Sequence, residues 1–194
     1  MHRQSCFLTA CLVTIGVAVA SHRTAFAAKP VMHLTAFAVD MSNMANRTRA
    51  GTVDIIINRW ASDQERDTLR AALREGGTDS LLKALQKIKE PAGYIRTPSS
   101  IGYPLRFARQ IPTPEGGKRI IVATDRYVSF LEATSQPRSI DYPFMLVDIR
   151  LGPDGKGTGK LMPLAKVTES EDHVVEIENY ASEPVRLNEV RELK

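Results

Sequence analysis

Apolar and polar positions alternate in two rhythms along the chain. Val31 to Asp40 (VMHLTAFAVD) is rich in apolar residues and long enough for a strand. A polar loop, residues 41–50, separates it from Thr52 to Trp60 (TVDIIINRW), whose β-branched run predicts a second strand. Residues 62–90 then follow a helical period. Ser62-Asp63-Gln64-Glu65 has the spacing of a capping box, in which the serine oxygen accepts from the Glu65 amide while Glu65 reaches back. Asp63, Glu65 and Asp67 place negative charge at the positive end of that helix. Leu69, Ala72 and Leu73 form its apolar stripe, and Gly76-Gly77 predicts its end. Thr78, Asp79 or Ser80 can cap a second helix with Leu81, Leu82, Leu85 and Ile88 on one face, closed by Pro91. The expectation is a two-helix insert after the second strand.

From Gly93 onward short strands and turns take over. Tyr94 to Arg96 reads as a short strand. Leu105 to Ile111 and Arg119 to Thr124 flank a turn at Pro114–Gly117 and predict a hairpin. Tyr127 to Glu132 can continue as a strand. Phe144 to Leu151 and Gly159 to Thr168 flank a turn at Pro153-Asp154-Gly155 and predict a second hairpin; Val174 to Tyr180 and Val185 to Val190 predict a third. Successive hairpins mean antiparallel pairing, because parallel strands need longer crossovers. The fold expected is mainly β (α+β): an antiparallel meander of about 8–10 strands, curled into a barrel or a sandwich. It forms one domain over residues 28–194, with the helical insert at 62–90.

The first 27 residues follow a different pattern. A weakly basic start leads into an apolar run from Cys6 to Ala20, broken by Ser21 to Arg23, and Ala25-Phe26-Ala27 fits a small-x-small cleavage site. This is the layout of a secretory signal peptide, with cleavage expected after Ala27 and an exported (periplasmic or extracellular) product. The run falls short of the roughly 20 residues a membrane-spanning helix needs, and no membrane span is expected elsewhere. The apolar run continues past Cys11, which argues against an acylated lipoprotein cysteine.

Composition changes once this leader is set aside. The formal charge of +4 loses Arg3 and Arg23, and both cysteines, Cys6 and Cys11, go with it. Residues 28–194 then hold no disulfide, thiolate nucleophile or cysteine metal site. Two histidines remain, His33 and His173, without a second ligand at metal-binding spacing. No metal or cofactor is expected.

Motifs of chemistry are sparse. Gly152–Lys160 (GPDGKGTGK) matches neither register of a phosphate-binding loop and reads as a hairpin tip. The chain has no Gly-x-Ser-x-Gly and no His-Glu-x-x-His. Ser99-Ser100 fits turn chemistry, and Glu176 with Glu178 fits a solvated strand face. Asn46-Arg47-Thr48 matches a glycosylation sequon.

The middle of the chain is the most suggestive part. Residues 91–140 are basic, with Arg96, Arg106, Arg109, Lys118, Arg119, Arg126 and Arg138 against Glu115, Asp125 and Glu132; residues 141–194 are acidic. A basic face for an anionic ligand and cross-strand pairing of opposite charges both follow from such asymmetry. Trp60, Tyr94, Tyr103, Phe107, Tyr127, Tyr142 and Phe144 lie at or near strand ends, where aromatics line pockets or pack cores. Trp60 can also staple the helix onto the sheet.

Three stretches, Gly51–Trp60 (GTVDIIINRW), Gly93–Pro98 (GYIRTP) with Ile101-Gly102-Tyr103, and Pro137–Phe144 (PRSIDYPF), are similar to uncharacterised exported bacterial proteins. That resemblance covers most of residues 28–194. It implies export and a bacterial host, and brings no catalytic residue with it. A barrel would resemble lipocalin-like proteins, from which the chain departs by lacking their Gly-x-Trp opening and by placing its helices after the second strand.

The expected function is a non-catalytic binding domain of the bacterial envelope. Its ligand would be a small amphipathic or anionic molecule, met by Trp60, Tyr94, Arg96, Tyr103, Arg106 and Arg126. The alternative is a structural or protein-interaction domain of the envelope, with an envelope protein as partner. A hydrolase with scattered catalytic groups ranks third. Nucleic acid is not an expected partner, given the small net charge.

Overall fold

The computed structural model describes residues 29–41, 49–126 and 137–193. The leader, the sequon at 46–48 and the strand expected at 127–132 lie outside them. No helix among the described residues is long and apolar enough to cross a membrane.

The described chain is mainly β. Its strands are β1 (Met32–Asp40), β2 (Arg49–Ile57), β3 (Gly93–Arg96), β4 (Tyr103–Leu105), β5 (Phe107–Pro112), β6 (Lys118–Asp125), β7 (Phe144–Leu151), β8 (Lys156–Glu169), β9 (Val175–Asn179) and β10 (Val185–Glu192). One helix, α1 (Asp63–Gln86), follows β2, and a 3-10 turn covers Pro137–Asp141. Nine strands run in the order β4-β3-β2-β1-β10-β8-β7-β6-β5, and β9 joins the side of β8. All the paired strands are antiparallel.

The two ends of this path, β4 and β5, are consecutive in the chain and separated only by Arg106. Residues 103–112 thus act as one bent strand whose first part pairs with β3 and whose second part pairs with β6. The Arg106 amide donates to the Ala123 carbonyl at 3.2 Å, and Thr124 Oγ1 donates to the Pro104 carbonyl at 2.9 Å. The sheet therefore curls into a nearly closed barrel rather than a sandwich. Gly93 lies where strands approach closely: a Cβ there would sit 1.9 Å from the Ile56 carbonyl oxygen.

Strand alternation divides the apolar residues between two faces. On β6, Ile120, Val122 and Thr124 point inward and are fully buried, whereas Ile121 and Ala123 point outward. Leu34, Ile55, Ile57, Leu105, Ile149, Leu187 and Val190 complete a packed interior. Burying each such aliphatic side chain contributes about 1.5–3 kcal/mol.

Two expectations are corrected. The insert is one helix, not two. Its N-terminal capping box forms as its spacing predicts, with the Glu65 amide donating to Ser62 Oγ at 3.1 Å and the Ser62 amide donating to Glu65 Oε2 at 2.9 Å. At Gly76-Gly77 the backbone leaves helical geometry (Gly77 φ 63°) but resumes at once, so the glycines kink α1 instead of ending it. The third hairpin is the other correction. β9 pairs with β8 rather than with β10, and β10 pairs with β8 and β1. The long β8 bonds β10 through Lys156–Leu161 and β9 through Ala165–Glu169. One long strand thus takes the place of two separate hairpin partners.

Candidate functional site

The kinked helix lies on the outside of the barrel. Leu69, Leu73 and Leu85 of α1 pack against Phe144 and Leu146 of β7 and against Ala165 and Val167 of β8. These are the outward positions of strands whose inward positions fill the barrel. One helix does not cover the whole apolar face. Between α1 and the outer faces of β5–β9 remains a groove of about 570 Å³. That lies within the range of about 300–1,000 Å³ typical of small-molecule sites.

The groove is almost wholly apolar. Leu69, Leu73, Leu81 and Leu85 form its helical wall. Phe107 and Ile111 of β5, Ile121 and Ala123 of β6, and Phe144 and Leu146 of β7 form its floor. Val167 of β8 and Val175 and Ile177 of β9 form the far side. Ile111, Val175 and Ile177 are 38%, 43% and 48% exposed, so the lip leaves large aliphatic side chains in water.

Among the described residues its polar lining consists of Arg66, Arg70 and Arg109. Arg109 donates to Asp63 Oδ1 at 2.8 Å, and Arg66 lies 3.3 Å from the same oxygen and 2.7 Å from Asp67 Oδ1. The hydrogen bond from Arg109, with the charges of Arg109 and Arg66, holds the Asp63 carboxyl below its ordinary pKa. The hydrogen bond with Asp67 raises the pKa of Arg66.

The residues expected to meet a ligand lie elsewhere, in three places. Trp60 packs against the barrel interior. Tyr94 and Arg96 lie on the outward face of β3, where Arg96 Nε is 3.5 Å from Asp54 Oδ2 and His33 Nε2 is 3.7 Å from Asp54 Oδ1. Tyr103 and Arg106 meet at Asp125, and Arg126 follows it in the chain. Tyr103 donates its hydroxyl proton to the Asp125 carbonyl at 2.9 Å. Arg106 donates to Asp125 Oδ1 at 3.1 Å and to the Ile88 carbonyl at 2.9 Å, which ties the end of the insert to the barrel seam. Arg126 donates to the Tyr142 and Ser139 carbonyls, each at 2.6 Å. None of the six lines the groove.

The basic middle and acidic end of the chain meet across strands. Arg119 forks onto Asp148 with bonds of 2.9 and 2.8 Å, and Lys118 Nζ reaches Glu192 Oε2 at 2.9 Å. The hydrogen bond with Asp148 raises the Arg119 pKa. Ser100 Oγ accepts the Thr97 amide at 2.9 Å, as turn chemistry predicts. His173 Nδ1 lies 3.2 Å from Glu169 Oε1 in the β8–β9 turn, and the neighbouring Ser170 Oγ accepts the Val174 amide. Tyr142 donates to Glu178, and this bond raises the tyrosine pKa. Among the described residues no cluster of histidine and carboxylate groups is arranged to hold a metal ion.

The groove residues are visible in the sequence only as outward positions that stay apolar. Phe107, Ile111 and Ile121 carry that signal; on a half-solvated strand their places would be polar. Comparison of the chain with protein-family models, with curated proteins and with solved structures finds no match.

Proposed function

We propose that this chain is an exported, non-catalytic binding domain whose ligand is a small amphipathic molecule held between α1 and the outer face of the barrel. The observation that carries this reading is the apolar groove of about 570 Å³ with exposed aliphatic residues on its lip. The barrel interior is the less suitable place, because Leu34, Ile55, Leu105, Ile120, Ile149 and Leu187 fill it with fully buried side chains. Export rests on the leader pattern of residues 1–27 and on the resemblance to exported bacterial proteins. N-terminal sequencing of the exported protein should read Ala28-Lys29-Pro30, and an intact Met1 there would refute it.

Native mass spectrometry of protein taken from its own host tests the binding reading. A reproducible small-molecule adduct is expected, and Ile177→Asp, which puts a carboxylate on the lip, should abolish it. A bare monomer in both forms would sink the proposal. A second copy or a co-purifying protein held through the groove would replace it with the protein-interaction alternative.

A further inference from the structure

The charges on the groove rim narrow the ligand further. Among the described residues Arg66, Arg70 and Arg109 line the groove, and no carboxylate does. Asp63 and Asp67 balance Arg66 and Arg109 from outside the lining. Arg70 stands one helical turn beyond Arg66, on the same side of α1. Among the described residues no hydrogen bond or ion pair engages it. The rim therefore carries one positive charge that no described residue balances, beside an otherwise apolar trough.

We infer that the ligand is a single-chain amphiphile with a monoanionic head group, such as a carboxylate. Its chain lies along Leu73, Leu81 and Phe144, and its head meets Arg70 at the mouth. A guanidinium offers a planar fork of donors that matches a carboxylate with two hydrogen bonds, and desolvation beside apolar walls strengthens the pair. A neutral head would leave the exposed Arg70 to water and gain no charge pairing, and a cationic head would be repelled by it. We take one soluble molecule rather than a bilayer surface as the occupant, since most of the apolar lining forms a trough between helix and strands and only its lip, at Ile111, Val175 and Ile177, is exposed. This inference rests on the groove being a small-molecule site, and its test separates the two claims.

The experiment is calorimetric titration of the full exported chain with dodecanoate, 1-dodecanol and dodecyltrimethylammonium below their micelle concentrations. Dodecanoate should bind about tenfold more tightly than the alcohol, a gap on the order of one charge-assisted hydrogen-bonded pair. Arg70→Gln should close that gap without weakening the alcohol. Arg70→Glu, also at an exposed position, should shift preference to the cationic chain. Equal binding of dodecanoate and dodecanol, unaffected by Arg70→Gln, would overturn the inference and leave the groove reading standing. Binding of none of the three would overturn both. Association with phosphatidylglycerol vesicles but not with monomeric dodecanoate would also overturn it, in favour of a membrane surface.

Discussion

The barrel interior and the outer groove are lined by the same residue types and behave differently. Inside, Leu34, Ile55, Leu105, Ile120 and Ile149 are all fully buried, because a sheet that closes on itself brings its opposite walls together. Outside, α1 alone among the described residues covers the apolar face of β5–β9, and Ile111, Val175 and Ile177 remain exposed. A sheet face needs a second layer to exclude water. The nearly closed sheet supplies one to its own interior, and among the described residues the outer face has one where α1 reaches. The first region thus supplies stability, and the second leaves free surface that a ligand can cover.

Substitutions can break or sharpen this contrast. Leu34→Ala, inside the barrel, should cost about 2–5 kcal/mol in urea unfolding and leave groove affinity unchanged in the folded fraction. A comparable loss of stability in Ile177→Ala would erase the distinction between the two regions. Gly93→Ala should cost about 1–3 kcal/mol, because its Cβ would press on the Ile56 carbonyl and the backbone on both sides must shift.

Smaller effects belong to the helix that covers the groove. Ser62→Ala removes one half of the capping box and should cost about 1 kcal/mol, read as a lower Tm. Acid should act on the same end of α1. The Arg59 hydrogen bond, with help from Ser62, lowers the Glu65 pKa against the opposing effect of burial. A carboxylate whose folded pKa lies below its unfolded value stabilises the fold above the unfolded pKa and loses that contribution as pH falls through the folded one. Tm should therefore drop as pH falls below the ordinary glutamate range. Arg59→Gln should flatten that part of the profile, and an unchanged profile would rule out this pair as its source. The smallest effect should come from Ile177→Ala: stability within about 0.5 kcal/mol of the parent, but weaker binding of an apolar chain.

Much of the fold is legible along the chain. The strand signals at Arg119–Thr124 and Phe144–Leu151, the turns at Pro114–Gly117 and Pro153–Gly155, and the Ser62–Glu65 spacing all act over a few residues, and the structure contains each of them. Reading fails where the outcome depends on distant partners. Gly76-Gly77 carries a local stop signal, yet both arms of α1 find apolar seats on the same sheet face, so the helix continues past a kink. β9 follows the β8 turn and stays with β8, while β10 closes against β1, a pairing of chain ends that no local spacing encodes. The candidate site escapes for the same reason. Arg106 and Arg126 are candidate ligand partners in the sequence, and the carbonyls of Ile88, Ser139 and Tyr142 that accept from them come into reach only in the folded chain.

By itself, then, the amino-acid order determined strands, turns, the helix start and which residues alternate on each strand, because these follow from periods of two and 3.6 and from hydrogen bonds between near neighbours. Only the tertiary structure decided which apolar face is sealed and which stays open. That choice depends on the bend at Arg106 that nearly closes the sheet, and on how far one kinked helix extends over the outside. Phe107, Ile121 and Phe144 look like core residues wherever they stand. Among the described residues only α1 stands above them, and it is the part of the face beyond its reach that makes a groove.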